Sequence, residues 1–85
     1  MTLPELKELA QESPDKLIYL GTVADLYGSS YKVFKERFVY RRKIIKPIKK
    51  DPMNPKGKLY IEASEAYDFL QAIYRIREYK KKYNL

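Results

Sequence analysis

The chain has 85 residues, a net charge of +7 and a sequence pI near 9.6, a length that accommodates one domain with a modest core. Hydrophobic residues make up 45% and aromatic residues 14%, far above a disordered basic tail, so the chain is expected to fold. Cysteine and histidine are both absent, which removes disulfides, most zinc sites, Cys or His nucleophiles and the near-neutral proton shuttle.

With no Gly-rich phosphate loop and no clustered acids either, the chain is expected not to be an enzyme, and to take no cofactor, metal or small-molecule substrate. No apolar run approaches the ~18 residues of a membrane span, and Met1 to Glu5 lacks a basic segment leading into an apolar one. A soluble, intracellular protein with no membrane partner is the expectation.

The first element is a helix with its own start signal. Thr2 can cap it, Pro4 sits in the first turn, and Glu5 three residues after Thr2 completes a capping box. Leu3, Leu6, Leu9 and Ala10 then give an apolar face before Ser13-Pro14-Asp15 ends the helix. Lys16 to Leu20 is a short apolar run suited to a strand or extended lead-in. Thr22 is expected to cap a short helix in which Val23, Ala24, Leu26 and Tyr27 turn inward. Gly28 supplies the backbone freedom to leave that helix, and Ser29 or Ser30 caps the next one.

From Tyr31 the helical stripe is Tyr31, Phe34, Phe38 and Ile45. Val39, Tyr40 and Ile44 fall off it, so the helix is expected to end or distort near Tyr40 to Arg42, and Pro47 forbids its continuation. Ile45 to Lys49 and Lys58 to Ile61 read as two short strands joined by the turn formers of Lys50 to Gly57, a hairpin wing. Ser64 is expected to cap a last helix from Glu65 with Ala66, Phe69, Leu70, Ile73 and Ile76 on its apolar face, followed by a basic tail over about residues 78–85. The carboxylates Glu62, Glu65 and Asp68 suit the N-terminal dipole of that helix rather than catalysis.

Charge is placed rather than spread. Tyr31 to Lys50 holds nine cations against Glu36 alone, a net +8 that exceeds the +7 of the whole chain. A helix, a tight turn and a basic helix are the parts with which helix-turn-helix proteins enter the major groove. The bland alternative, a solvated basic face, is weaker because the cations coincide with the post-turn helix and the wing.

The segments YLGTVADLYGSSYKVFKERF, IIKPIKK and GKLYIEASEAYDFL, spanning about Tyr19 to Leu70, resemble the winged helix-turn-helix of the excisionase and MerR-like family. The stretch between Gly28 and Pro47 is longer than usual for that family, and the wing is long and triple-proline. The resemblance implies an α+β, mostly α domain over residues 1–85, a winged helix-turn-helix with a two-stranded wing and flanking helices. It also implies a small phage or mobile-element protein that binds and bends DNA during excision or regulates transcription. Double-stranded DNA is then the partner, with an integrase or further copies of the chain beside it on the DNA, in the cytoplasm of a bacterial or phage-infected cell.

In that arrangement Lys32, Lys35, Glu36 and Tyr31 lie nearest the base edges, and Ser29 and Ser30 join helix capping to phosphate contact. Arg41, Arg42 and Lys43 hold the backbone, and Lys49, Lys50, Asn54, Lys56 and Lys58 carry the wing to an adjacent groove. The nine tyrosines read mostly as core and rim fillers, although Tyr interleaved with Lys also suits base stacking in single-strand binders. Two readings of other classes stand beside DNA binding. One is a phage-type protein-interaction module, an antirepressor or inhibitor built on a helix-turn-helix scaffold. The other is a DNA- or RNA-packaging component.

Overall fold

The computed structural model describes residues 1–50, 53 and 57–82, and its elements alternate helix and short strand. They are α1 (Leu3–Glu12), β1 (Leu17–Tyr19), α2 (Leu20–Tyr27), α3 (Tyr31–Lys35) continuing as a π-helix (Glu36–Arg41), β2 (Ile48–Lys49), β3 (Leu59–Glu62) and α4 (Ala63–Lys82). The architecture is α+β and mostly helical, with a small three-stranded antiparallel sheet. Among the described residues, no helix is long and apolar enough to cross a membrane.

The N-terminal helix forms as its sequence dictates. Thr2 Oγ1 accepts from the Glu5 amide at 3.4 Å and donates to Glu5 Oε1 at 3.0 Å, a cap that contributes ~1 kcal/mol. Leu6 is fully buried, with Leu3, Leu9 and Ala10 packed around it, and Ser13 closes the helix through its amide to the Leu9 carbonyl at 2.7 Å.

The sheet adds a strand that the hairpin pattern alone does not contain. Its order is β1-β3-β2, with β3 antiparallel to both neighbours. Ile18 pairs with Ile61 and Tyr19 with Tyr60 on one side, while Ile48 pairs with Tyr60 and Lys49 with Leu59 on the other. Leu59 and Ile61 point into the core and Tyr60 and Glu62 to the other face, the period-two alternation of a half-buried strand. β2 is shorter than Ile45 to Lys49. Ile45 belongs instead to the core, its amide and that of Ile44 both bonded to the Phe38 carbonyl at 3.1 and 3.0 Å.

Two expected caps are corrected. Thr22 lies inside α2, which starts at Leu20 with Tyr19 at its N-cap and no side-chain cap bond. Strand pairing fixes Tyr19 in extended backbone, and burial of Leu20, Gly21, Val23 and Ala24 outweighs what a hydroxyl cap two residues later would contribute. A Cβ on Gly21 would run into the Tyr19 ring. Ser64 likewise lies inside α4, which follows β3 directly. The first α4 amides bond to the chain leading into β1, Ala63 to the Lys16 carbonyl at 2.9 Å and Ser64 to the Pro14 carbonyl at 3.2 Å, so no side-chain cap is needed.

α4 is also longer than expected. Its 20 residues span ~30 Å, more than the body beneath it, so Ala66 and Leu70 are buried while Ile76, expected on the apolar face, is 52% exposed. α1 packs against α4 from behind.

Gly28 ends α2 at φ 97, in the left-handed region, with its amide on the Ala24 carbonyl at 2.9 Å and the Ser29 amide on the same oxygen at 3.0 Å. Ser30 Oγ then accepts from the Val33 amide at 3.3 Å and caps α3. The expected distortion of this helix is present and begins at Glu36, where the hydrogen bonding widens to the π pattern, as in Arg42 N–H to the Arg37 carbonyl at 3.0 Å. The wider turn keeps Phe34 and Phe38 on one buried face. Lys43, at φ 53, then reverses the chain.

Candidate nucleic-acid interface

The core side of the α3 segment is sealed by aromatic rings. Phe34 and Phe38 lie 4.9 Å apart between centroids, and Phe38 meets Phe69 of α4 edge-on at 4.9 Å. This anchoring leaves Lys32 and Glu36 exposed. They are two of the four residues that the sequence places nearest the base edges.

On the flank facing the sheet, the structure brings residues from all three strands, α3 and the π-helix around one groove of about 200 Å³, lined by Tyr19, Tyr31, Lys35, Tyr40, Lys49, Gly57, Lys58 and Leu59. Three tyrosines in or beside it carry an ammonium. Lys35 Nζ sits 4.8 Å from the Tyr31 ring centroid, Lys58 Nζ 5.2 Å from Tyr19, and Lys50 Nζ 4.4 Å from Tyr60. The rings in turn touch one another, Tyr19 with Tyr31 at 5.3 Å and with Tyr60 at 6.3 Å. A lysine stem over a ring face holds its ammonium in place with ~0.5–1 kcal/mol of attraction while leaving its N–H donors to solvent or a ligand.

Tyr31 is half-buried rather than presented outward. Desolvation pushes its phenol above the usual tyrosine value, the Tyr19 hydroxyl nearby adds to the rise, and a hydrogen bond with the Leu59 backbone opposes it. Its ring serves as the floor under Lys35, and the phenol stays protonated at neutral pH.

The remaining site residues fall outside this groove. Arg41 and Glu36 line a separate shallow depression with Val33 and Arg37. Arg42 and Lys43 are exposed where the π-helix ends, the Arg42 guanidinium 6.0 Å from the Phe38 ring. Ser30 is the cap of α3, and Ser29 Oγ donates to the Ser30 carbonyl at 3.2 Å. Asn54, Lys56 and most of the turn from Lys50 to Gly57 lie outside the described residues, as does the end of the basic tail.

Sequence reasoning did not find Tyr19, Tyr40 and Tyr60 as members of the site. The alternation of Tyr and Lys was visible, and Lys35 on Tyr31 is a local i, i+4 pair, but Lys58 on Tyr19 joins parts of the chain far apart in sequence. No family model, no curated protein and no solved structure matches the chain.

Proposed function

We propose that this chain binds double-stranded DNA in a sequence-specific way as a winged helix-turn-helix protein. α2, the left-handed Gly28 and α3 supply the two helices and the turn, and the β2–β3 hairpin supplies the wing. The observation that carries the reading is the tyrosine-floored groove, where Lys35 of the helix and Lys49 and Lys58 of the hairpin converge from opposite sides. Lysines so fixed suit two neighbouring stretches of phosphate backbone.

In this arrangement Lys32 and Glu36 address base edges, Lys35 stands at the groove wall, and Arg41, Arg42 and Lys43 hold the backbone beyond the helix. The state of the tyrosines favours duplex over single-stranded nucleic acid: the faces that would stack on bases carry Lys35, Lys50 and Lys58. The biological role we assign, on the resemblance of residues 19–70, is that of a phage or mobile-element excisionase or small transcriptional regulator. An integrase or further copies of the chain would bind beside it.

A protein-interaction role is the second reading. It is favoured by an open groove of about 470 Å³ in which Ile44, Ile45, Ile61, Phe69 and Ala72 meet Lys46, Glu65 and Asp68, with Ile44 57% exposed. The two readings part on salt. If on the order of 5 phosphates are neutralised, log affinity for duplex DNA falls against log salt with a slope of about −4 to −5, measured by fluorescence anisotropy. Absence of duplex binding at low salt, or a slope near zero, rejects DNA binding and leaves the protein partner.

A further inference from the structure

A second pair of cations converges on the other flank of the α3 segment, and DNA binding as proposed above does not use it. Arg37 Nη1 donates to the Tyr27 hydroxyl at 3.3 Å, while the Arg77 guanidinium of α4 lies 4.9 Å from the Tyr27 ring centroid and 5.9 Å from that of Tyr74. The placement is built in: the Tyr74 hydroxyl donates to the Leu26 carbonyl at 3.2 Å, pinning α4 to the end of α2. Arg77, three residues further along the same helix face, therefore falls on the neighbouring Tyr27.

Both arginines are exposed, and among the described residues their side-chain partners are rings and a phenol, with no carboxylate. Arg37 at the Tyr27 hydroxyl and Arg77 on its ring face set two guanidinium ions around one tyrosine, and an oxyanion placed between them is attracted by both. Guanidinium forks match phosphate geometry, and Tyr27, which accepts from Arg37, keeps its own O–H to donate.

We propose that Arg37, Arg77 and Tyr27 form a phosphodiester-binding site, which makes the C-terminal half of α4 part of the nucleic-acid interface. The inference rests on the duplex-DNA reading and extends it. A helix lodged in a major groove ~12 Å wide has a sugar–phosphate backbone on each side. Tyr31 and Lys35 turn one flank of α3 to the wing, and Val33, Glu36, Arg37 and Arg41 line the other, two cations against one carboxylate. The wing lysines hold one backbone and the Tyr27 site holds the opposite one.

The test compares the full-length chain with Arg37→Gln/Arg77→Gln and with Lys35→Gln/Lys58→Gln, by anisotropy on a short duplex across a salt series. The arginine pair is expected to weaken low-salt affinity by tenfold or more and to make the salt slope shallower by about two units, one per phosphate contact. Wild-type affinity and slope in the arginine variant, with the lysine variant weakened, overturns the Tyr27 site and leaves the wing reading intact.

If the wild-type chain binds no duplex, the DNA reading fails and the site is judged on inorganic pyrophosphate alone. Thermal unfolding should then move upward with pyrophosphate in the wild type and not in the arginine variant, and an equal response in both overturns the site. Should the double variant not fold, Arg77→Lys takes its place in both arms. It retains the charge, loses the fork, and is expected to lose affinity by several-fold; no change in either arm overturns the site.

Discussion

Two aromatic clusters flank the helix that follows Gly28, and they are built from different rings for different ends. Phe34, Phe38 and Phe69 close on one another at 4.9 to 5.8 Å, tilted between Phe34 and Phe38 and edge against face with Phe69, with Phe34 and Phe38 essentially without exposure. Tyr19, Tyr31 and Tyr60 stand at 5.3 and 6.3 Å from ring to ring but are only half-buried, and each carries a lysine on its ring. A phenylalanine has no group that needs water, so sealing it is all gain. A tyrosine keeps a hydroxyl that must stay hydrogen-bonded, which holds its cluster at the rim and leaves ring area free for an ammonium. Burial in the first cluster sets stability, and charge placement in the second sets what the surface can bind.

The sharpest way to break this division is to delete a ring from the sealed cluster. Phe38→Ala should cost ~3–5 kcal/mol of stability, a large share of the ~5–15 kcal/mol typical of a domain, so chemical denaturation should show a nearly or fully unfolded chain. A fold that survives unchanged would mean that Phe38 is not the anchor of the helix.

The open cluster should answer in the opposite currency. Lys35→Gln, Lys50→Gln and Lys58→Gln together keep most of each side chain but remove three charges, so the DNA salt slope should become shallower by about one unit per lysine. The accompanying stability loss should stay within ~0.5–1 kcal/mol per cation–ring contact. A variant whose melting temperature falls as far as that of Phe38→Ala would show the tyrosine cluster to be structural after all.

A smaller effect lies at the point where the chain leaves the π-helix. Lys43 adopts φ 53, a conformation that favours glycine, so Lys43→Gly should stabilise the fold by ~0.5–1 kcal/mol while removing one charge from the basic surface. A higher denaturation midpoint with weaker DNA affinity would separate the two roles within one residue, and a lower midpoint would refute the strain.

The smallest is a titration. Burial raises the Tyr31 phenol above 10.0, so the folded chain favours its neutral form. The stability tied to that preference is fully present below the unfolded value and is lost as pH rises through the folded one. Absorbance of phenolate should show a late-titrating tyrosine that disappears in Tyr31→Phe; an unchanged curve would assign the late phenol elsewhere.

Much of the local structure was legible in the residues. Thr2 and Glu5 framed α1, Gly28 and Ser30 set the turn, and the spacing of Phe34 and Phe38 picked the buried face; Val39, Tyr40 and Ile44, off that stripe, pointed to a distortion near Tyr40 to Arg42, which in the structure begins earlier, at Glu36. These signals depend on contacts within a turn or two of chain, where side-chain type and backbone geometry are directly linked. Clustering of positive charge after Gly28 was equally plain, since it needs only counting.

Only the tertiary structure decided what required distant partners. Thr22 and Ser64 look like caps, but β1 pairing with β3 carries the chain straight from strand into helix at Leu20 and again at Ala63, and backbone carbonyls at Pro14 and Lys16 replace the second hydroxyl. Ile76 follows the apolar period of α4 but lies exposed because the helix is longer than the body that covers it. Two of the cation–tyrosine pairs follow the same rule: Lys58 reaches Tyr19, and Arg77 reaches Tyr27, across separations in sequence that no local pattern records. The local pattern fixed which residues carry charge and which seek burial, and long-range packing chose their neighbours because that choice depends on which surfaces the folded chain brings within a few ångströms.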